Sequence, residues 1–263
     1  MSGVIGPDAV SGAGSGAPVT WGLFGGTFDP VHYAHLAVAE QTRERLGLAG
    51  VLFVPAAAPP HKPGRPISAG RHRLAMLELA TAGNPAFRVS RIELDRPGPS
   101  YTVDTVASLL ADPPADLLRP ATPDVSRAPG LAAMPAASGT GHSAPAPRLE
   151  LVLILSAEAL RLLPEWHEPD RLLALCRVAV VPRHGYGTVP DKWLARHFPG
   201  RQGRFILLDG PDLGNSASEI RTRERDGRSI RYLVPPEVEA YIRDHGLYTG
   251  SWPDEPARPG AAP

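Results

Sequence analysis

The run "LELVLIL", Leu149 to Leu155, constrains the fold more than any other stretch of the chain. It is apolar apart from Glu150, so both faces of a strand built from it need cover. That happens in the middle of a parallel sheet. Shorter apolar runs of the same kind recur as "VTWGLF" (Val19 to Phe24), "VLFVPA" (Val51 to Ala56), "FRVSRIEL" (Phe87 to Leu94), "RVAVVP" (Arg177 to Pro182) and "RFILL" (Arg204 to Leu208). Between and after them lie segments with helical spacing. Ala34 to Leu46 sets Leu36, Ala39, Arg43 and Leu46 three and four residues apart. "SAGRHRLAMLELATAG" opens on an expected N-cap, Ser68, and closes on Gly83, while "SYTVDTVASLL" opens on Ser100. Further helices are expected in "EPDRLLALC", "DKWLARHF", Ser216 to Arg225 and Pro235 to His245. Strands alternating with helices predict an α/β fold, a Rossmann-like doubly wound parallel sheet with helices on both faces, right-handed crossovers and a small C-terminal helical part.

The alternation is interrupted once. Residues 111–148 are rich in Pro, Ala, Gly and Ser and carry no apolar period, which predicts a disordered surface insertion. Because the pattern resumes after it, one domain over residues 19–249 is expected rather than two. Residues 1–18 and 250–263 read as disordered tails. The start lacks the basic and apolar regions of a secretory signal, and no apolar run reaches membrane-spanning length. Lys+Arg and Asp+Glu balance at 27 each, so no global field draws nucleic acid or anionic lipid. The single cysteine, Cys176, lies in an apolar run and reads as a small core residue. With no disulfide framework, a reducing, cytoplasmic setting is expected.

The candidate site is "GGTFDPVHYAHL", Gly25 to Leu36. Gly25 to Pro30 is expected as a loop between the first strand and the first helix, at the carboxyl end of the sheet, where open α/β sheets bind ligands. Two glycines allow backbone N–H groups to approach a phosphate, and the helix start adds partial positive charge. At i and i+3, His32 and His35 share one helical face. A phosphate site, a metal pair lacking a nearby third ligand, and plain surface residues all remain open on spacing alone.

"GGTFDPVHYAH" closely resembles the Gly-x-Phe-x-Pro-x-His-x-x-His motif of the nucleotidyltransferase superfamily that transfers adenylyl or cytidylyl groups. The superfamily's second signature, a Ser/Thr-rich turn followed by Ile-Arg, is matched by "NSASEIR", Asn215 to Arg221. "VPAAAPPHK", "GPSYTVDT", "LPEWH" and "RYLVPPEVEAYIRDHGLY" look like the nicotinate-mononucleotide adenylyltransferases. The resemblance spans Gly22 to Tyr248 outside the insertion.

The resemblance implies a reaction of ATP with nicotinate mononucleotide to give nicotinate adenine dinucleotide and pyrophosphate, by direct attack on the α-phosphorus. Mg²⁺ would arrive with ATP. His32 and His35 would stabilise charge at the α-phosphate. Gly25, Gly26, Thr27 and Phe28 would offer backbone contacts to ATP. Ser216, Ser218 and Arg221 would hold its outer phosphates, and Glu158 would lie near its ribose. Lys62 and His61 would sit on a substrate phosphate, with Arg183 a further phosphate candidate. Trp166 would stack on the pyridine ring, while Tyr101 and Thr102, at a helix start, would receive the nicotinate carboxylate. Asp104 is either a loop-orienting group or a first-turn acid.

Three departures from the family pattern stand out. "LSAEAL" has Ser156 and Glu158 where Gly and Asp are usual, "SAS" has Ala217 for a hydroxyl residue, and Ala34 replaces a glycine between the histidines. A sibling such as phosphopantetheine adenylyltransferase shares the histidine motif, yet leaves Trp166 and "GPSYTVDT" unexplained. A nucleotide sensor without catalysis rests on the departures alone. A nucleic-acid module is opposed by zero net charge and the lack of a basic aromatic stripe. The sequence allows a homo-oligomer without demanding one.

Overall fold

A computed structural model describes residues 18–57, 67–118, 147–182, 189–210 and 213–250. The strands are β1 (Val19–Gly26), β2 (Gly50–Pro55), β3 (Phe87–Val89), β4 (Leu149–Ser156), β5 (Arg177–Val181) and β6 (Phe205–Leu207). They form one six-stranded sheet in the order β3-β2-β1-β4-β5-β6, every neighbouring pair parallel. The helices are α1 (Tyr33–Leu46), α2 (Gly70–Thr81), α3 (Thr102–Ala111), α4 (Ala157–Leu162), α5 (Pro169–Leu175), α6 (Asp191–His197), α7 (Ala217–Arg225) and α8 (Pro236–Asp244).

Alternation along the middle strands sorts the core into two layers. Leu52, Val54, Leu151, Leu153 and Leu155 face one layer with Val103, Val106 and Leu109 of α3 and Leu172 and Leu173 of α5. Val51, Phe53 and Ile154 face the other, with Met76 and Leu77 of α2, Ile220 of α7 and Val238 and Ile242 of α8. The doubly wound α/β expectation is met, including the C-terminal helices, which close the second layer. Gly50 opens β2 where nothing larger fits: a Cβ there would lie 2.3 Å from the Ala86 carbonyl oxygen and 2.4 Å from the Trp21 indole.

Several local expectations change. β1 runs to Gly26, so both glycines belong to the strand end rather than to a loop. β3 stops at Val89, after which residues 90–99 turn, since an edge strand with one neighbour is easily ended. α4 was not foreseen; six residues are too short to show a helical period. Ser68 and Ser100 cap nothing with their side chains. α2 starts from Ala69 and α3 from Tyr101, neither with a side-chain cap. Cys176 is a buried core residue whose thiol is pushed up to about 12, chiefly by burial.

Residues 111–118, expected as part of the insertion, belong to the fold. α3 includes Ala111, and the chain then turns back onto the sheet. Leu117 is 1% exposed, and its carbonyl accepts the Trp21 indole N–H at 2.9 Å. One leucine among prolines gives no periodic signal, yet it fills the core and satisfies a buried indole. Residues 119–146 lie outside the described residues. Leu117→Ala is expected to cost about 2–5 kcal/mol of folding stability through the cavity it leaves. Urea unfolding would read this as a lower midpoint at unchanged slope; a loss under about 0.5 kcal/mol would detach this turn from the core.

Candidate active site

The strand order reverses between β1 and β4, which makes the space above their carboxyl ends the crevice of the fold. The registers show how it opens. β1 stays paired with β2 as far as Gly26 opposite Pro55, but its pairing with β4 ends at Leu23 opposite Leu153. The two middle strands therefore part beyond Leu23. Gly25 is exposed at the rim, and a Cβ there would meet nothing within 4 Å. Its neighbour Gly26 has no such room: a Cβ would lie 3.0 Å from the Phe28 ring.

Phe28 has φ 49°, a left-handed conformation that costs a non-glycine residue about 1–3 kcal/mol. Its side chain is buried among Phe24, Phe53 and His35, with ring centroids 5.6, 5.8 and 5.0 Å away. Burying a phenylalanine returns about 1.5–3 kcal/mol, enough to hold the turn. His32 precedes α1 as its N-cap and is buried, while His35 sits in the first turn. Their rings stack, with centroids 3.8 Å apart and planes at 28°. The His32 backbone N–H donates to His35 Nδ1 at 3.3 Å. In the neutral ring that bond leaves the proton on Nε2. So the i, i+3 spacing does bring both rings together.

The turn between strand and helix is tied down by Asp29, which is 3% exposed. The Tyr248 hydroxyl donates to Asp29 Oδ1 at 2.6 Å, and the Ser68 backbone N–H donates to Oδ2 at 3.1 Å. Burial first, and Asp29 next, hold the Tyr248 phenol well above its ordinary range, so it stays a donor. Arg73, 1% exposed, donates from Nε to the Ser68 carbonyl and from Nη1 to the Thr27 carbonyl, each at 2.9 Å. Burial lowers the Arg73 pKa, opposed by Asp29 and Tyr248. Asp29, Arg73 and Tyr248 were given no role from sequence, although Asp29 and Tyr248 stand inside stretches singled out for other residues.

Arg221 joins the two motifs, 192 residues apart. Its Nη1 donates to the Asp29 carbonyl at 2.6 Å, and Nη2 lies 3.4 Å from Ser218 Oγ. Ser216 is the N-cap of α7, its Oγ accepting from the Glu219 N–H at 3.2 Å. Ala217 is the first residue of α7, flanked by the two serines that remain. Across the crevice, Ser156 ends β4 and caps α4 by accepting from the Ala159 N–H at 3.1 Å. That bond gives the departure from glycine a local reason. Glu158 sits in the first turn of α4.

The remaining expected site residues lie on α3 and around the 3₁₀ turn Leu163–Glu165. Trp166 follows that turn, half-buried against the first core layer, as is Tyr101. Tyr101 stacks on His167, centroids 4.2 Å apart and planes at 29°. His167 was quoted in "LPEWH" without a role; a loop histidine has no signal until its partner is known. Thr102 opens α3, whose first N–H groups have no intrahelical acceptor. Asp104 is a first-turn acid of α3, its carboxylate 3.9 Å from Arg171. His61, Lys62 and Arg183 lie outside the described residues. Among the described residues no cluster of three or more His, Cys, Asp or Glu could hold a metal ion, and no helix is long and apolar enough to cross a membrane.

Residues 23–223 match the cytidylyltransferase-like family. A protein of Thermomicrobium roseum named "probable nicotinate-nucleotide adenylyltransferase" is 43% identical, the match covering 86% of this chain and 90% of that one. A Roseiflexus protein of the same name is 44% identical, over 89% of this chain and 99% of its own. Among solved structures, Plasmodium falciparum nicotinic acid mononucleotide adenylyltransferase complexed with NaAD superposes with a TM-score of 0.62. At 16% identity it covers 87% of this chain and 97% of its own, a likeness of fold.

The Asp29 cluster sets an expectation for stability. Tyr248→Phe keeps the ring in the core but removes the donor to a buried carboxylate, a loss of about 1.5–3 kcal/mol. Urea unfolding measures it; a change below about 0.5 kcal/mol would mean that Tyr248 does not hold the turn.

Proposed function

The chain belongs to the cytidylyltransferase-like family, among its nicotinate-nucleotide adenylyltransferases, and we propose how its crevice performs their reaction. The enzyme transfers adenylyl from ATP to nicotinate mononucleotide in NAD biosynthesis, forming nicotinate adenine dinucleotide and pyrophosphate. An oxygen of the mononucleotide phosphate attacks the α-phosphorus in line, and the bond to the bridging oxygen of the leaving pyrophosphate breaks. No covalent enzyme intermediate is needed, so catalysis is positioning and charge neutralisation. The observation that carries this reading is the Arg221 bond to the Asp29 carbonyl, which sets the serine-arginine motif beside the histidine motif at the crevice.

ATP lies over the strand end, with Gly25, Gly26, Thr27 and Phe28 offering backbone and Glu158 on the ribose side. The stacked His32 and His35 face the α-phosphate, and with His35 Nδ1 taken by the His32 N–H, its Nε2–H is the group left to donate to a phosphate oxygen. Ser216, Ser218 and Arg221 take the outer phosphates. Lys62, His61 and Arg183 serve the substrate phosphates. Trp166 stacks on the pyridine, and the start of α3, at Tyr101 and Thr102, receives the carboxylate.

Mg²⁺ arriving with ATP would supply neutralisation of the triphosphate charge. Both Asp29 carboxyl oxygens already accept hydrogen bonds, and the described residues offer no acidic cage. Such a chain fits an ion held mainly by phosphate oxygens and water, as Mg²⁺ prefers. A cytoplasmic enzyme acting on small nucleotides, as a monomer or a homo-oligomer, fits this reading.

Pyrophosphate release from ATP and Mg²⁺ should be fastest with nicotinate mononucleotide, slower with its amide and absent with phosphopantetheine. Release only with phosphopantetheine would overturn the substrate. His35→Ala should lower turnover by about 10²-fold or more with unchanged circular dichroism. A near-wild-type rate would remove the role given to that ring.

A further inference from the structure

Glu93 is a buried acid that none of these roles uses. It lies in the turn after β3 and is 6% exposed. Thr105 Oγ1 donates to Glu93 Oε1 at 2.8 Å, and the Ser100 hydroxyl lies beside the same carboxyl. Ser100 Oγ also accepts the Ala57 backbone N–H at 3.1 Å. Arg96 Nη1 reaches Thr105 Oγ1 at 3.2 Å from the outside. Burial raises the Glu93 pKa, while Thr105, Ser100 and Arg96 pull it back.

The geometry joins three segments: the β3 turn, the start of α3 and the chain just after β2. Two of them serve the mononucleotide. Ser100 stands directly before Tyr101 and Thr102, whose N–H groups open α3. Ala57 is the last described residue before the stretch that carries His61 and Lys62. Hydrogen bonds weaken steeply with misalignment, so a helix start receives a carboxylate well only if its backbone is held.

We propose that Glu93 is a positioning residue for the mononucleotide: it grips Ser100 and Thr105 so that the first N–H groups of α3 stand at a fixed place for the nicotinate carboxylate. This rests on the function proposed above. Glu93 acts through Ser100 and α3 and does not touch substrate. Its effect therefore falls on one substrate and on the preference for acid over amide, which a merely structural role would not produce.

Steady-state kinetics of the full chain with both mononucleotides tests it. Glu93→Ala should raise KM for nicotinate mononucleotide about tenfold, keep KM for ATP within about twofold, and narrow the acid-to-amide ratio of kcat/KM. Glu93→Gln keeps an acceptor for Thr105 and should return KM to within about threefold of wild type. Thr105→Val removes the hydroxyl that donates to Glu93 and gives a second reading if Glu93→Ala fails to fold, with the same split at smaller size. Equal rises for both substrates, or a lower unfolding midpoint with unchanged KM values, would overturn the inference while wild-type turnover leaves the function standing. Wild-type failure with nicotinate mononucleotide would remove the function and the inference together.

Discussion

The structure depends on one small residue placed between its two ends. Asp29 offers three oxygens, and each is taken: one carboxyl oxygen by Tyr248, the other by the Ser68 backbone, and the carbonyl by Arg221. These partners come from the last described turn, the start of α2 and the middle of α7. Burial of Phe28 offsets the left-handed turn, but it does not fix the backbone atoms on either side of it. Buried hydrogen bonds to a carboxylate do, because each broken one leaves a polar group without water. The placing of His32 and His35 follows from that turn.

The crevice divides into two supported halves. Asp29, Arg73 and Tyr248 fix the backbone between β1 and α1, on the side proposed for ATP. Glu93 and Thr105 bond at the start of α3, on the side proposed for the mononucleotide. Both supports are buried acids bonded to hydroxyls, and both lie behind the residues that would meet substrate. Chemistry that asks mainly for fixed geometry and fixed charge needs rigid backing more than reactive side chains. Ser156 belongs to the same logic, since its hydroxyl stabilises the start of α4 where the family usually has glycine.

Much of the fold was legible in the sequence for a simple reason. Apolar β4 needs cover on both faces, and strands alternating with amphipathic helices leave few ways to supply it. The nearness of the two histidines was legible too, although His32 lies just outside the helix as its N-cap, and the His32 N–H bond to the His35 ring brings the rings into a stack. What failed were features fixed by distant partners. Ser68 and Ser100 look like caps locally, yet the Ser68 backbone bonds to Asp29 and Arg73, and the Ser100 hydroxyl accepts from Ala57. Leu117 sits in a proline-rich stretch whose composition hides its burial. Arg73 and Tyr248 are ordinary in their helical or turn settings, and only the fold shows that they converge.

On this reading ATP and nicotinate mononucleotide meet in the crevice between β1 and β4. A crystal structure of the protein with nicotinate adenine dinucleotide would test it most directly. The account predicts the adenylyl phosphate beside Gly25 and the stacked histidines, the pyridine on Trp166 and its carboxylate at the start of α3. A dinucleotide bound away from Gly25, or with its pyridine on the Arg221 side of the crevice, would contradict it.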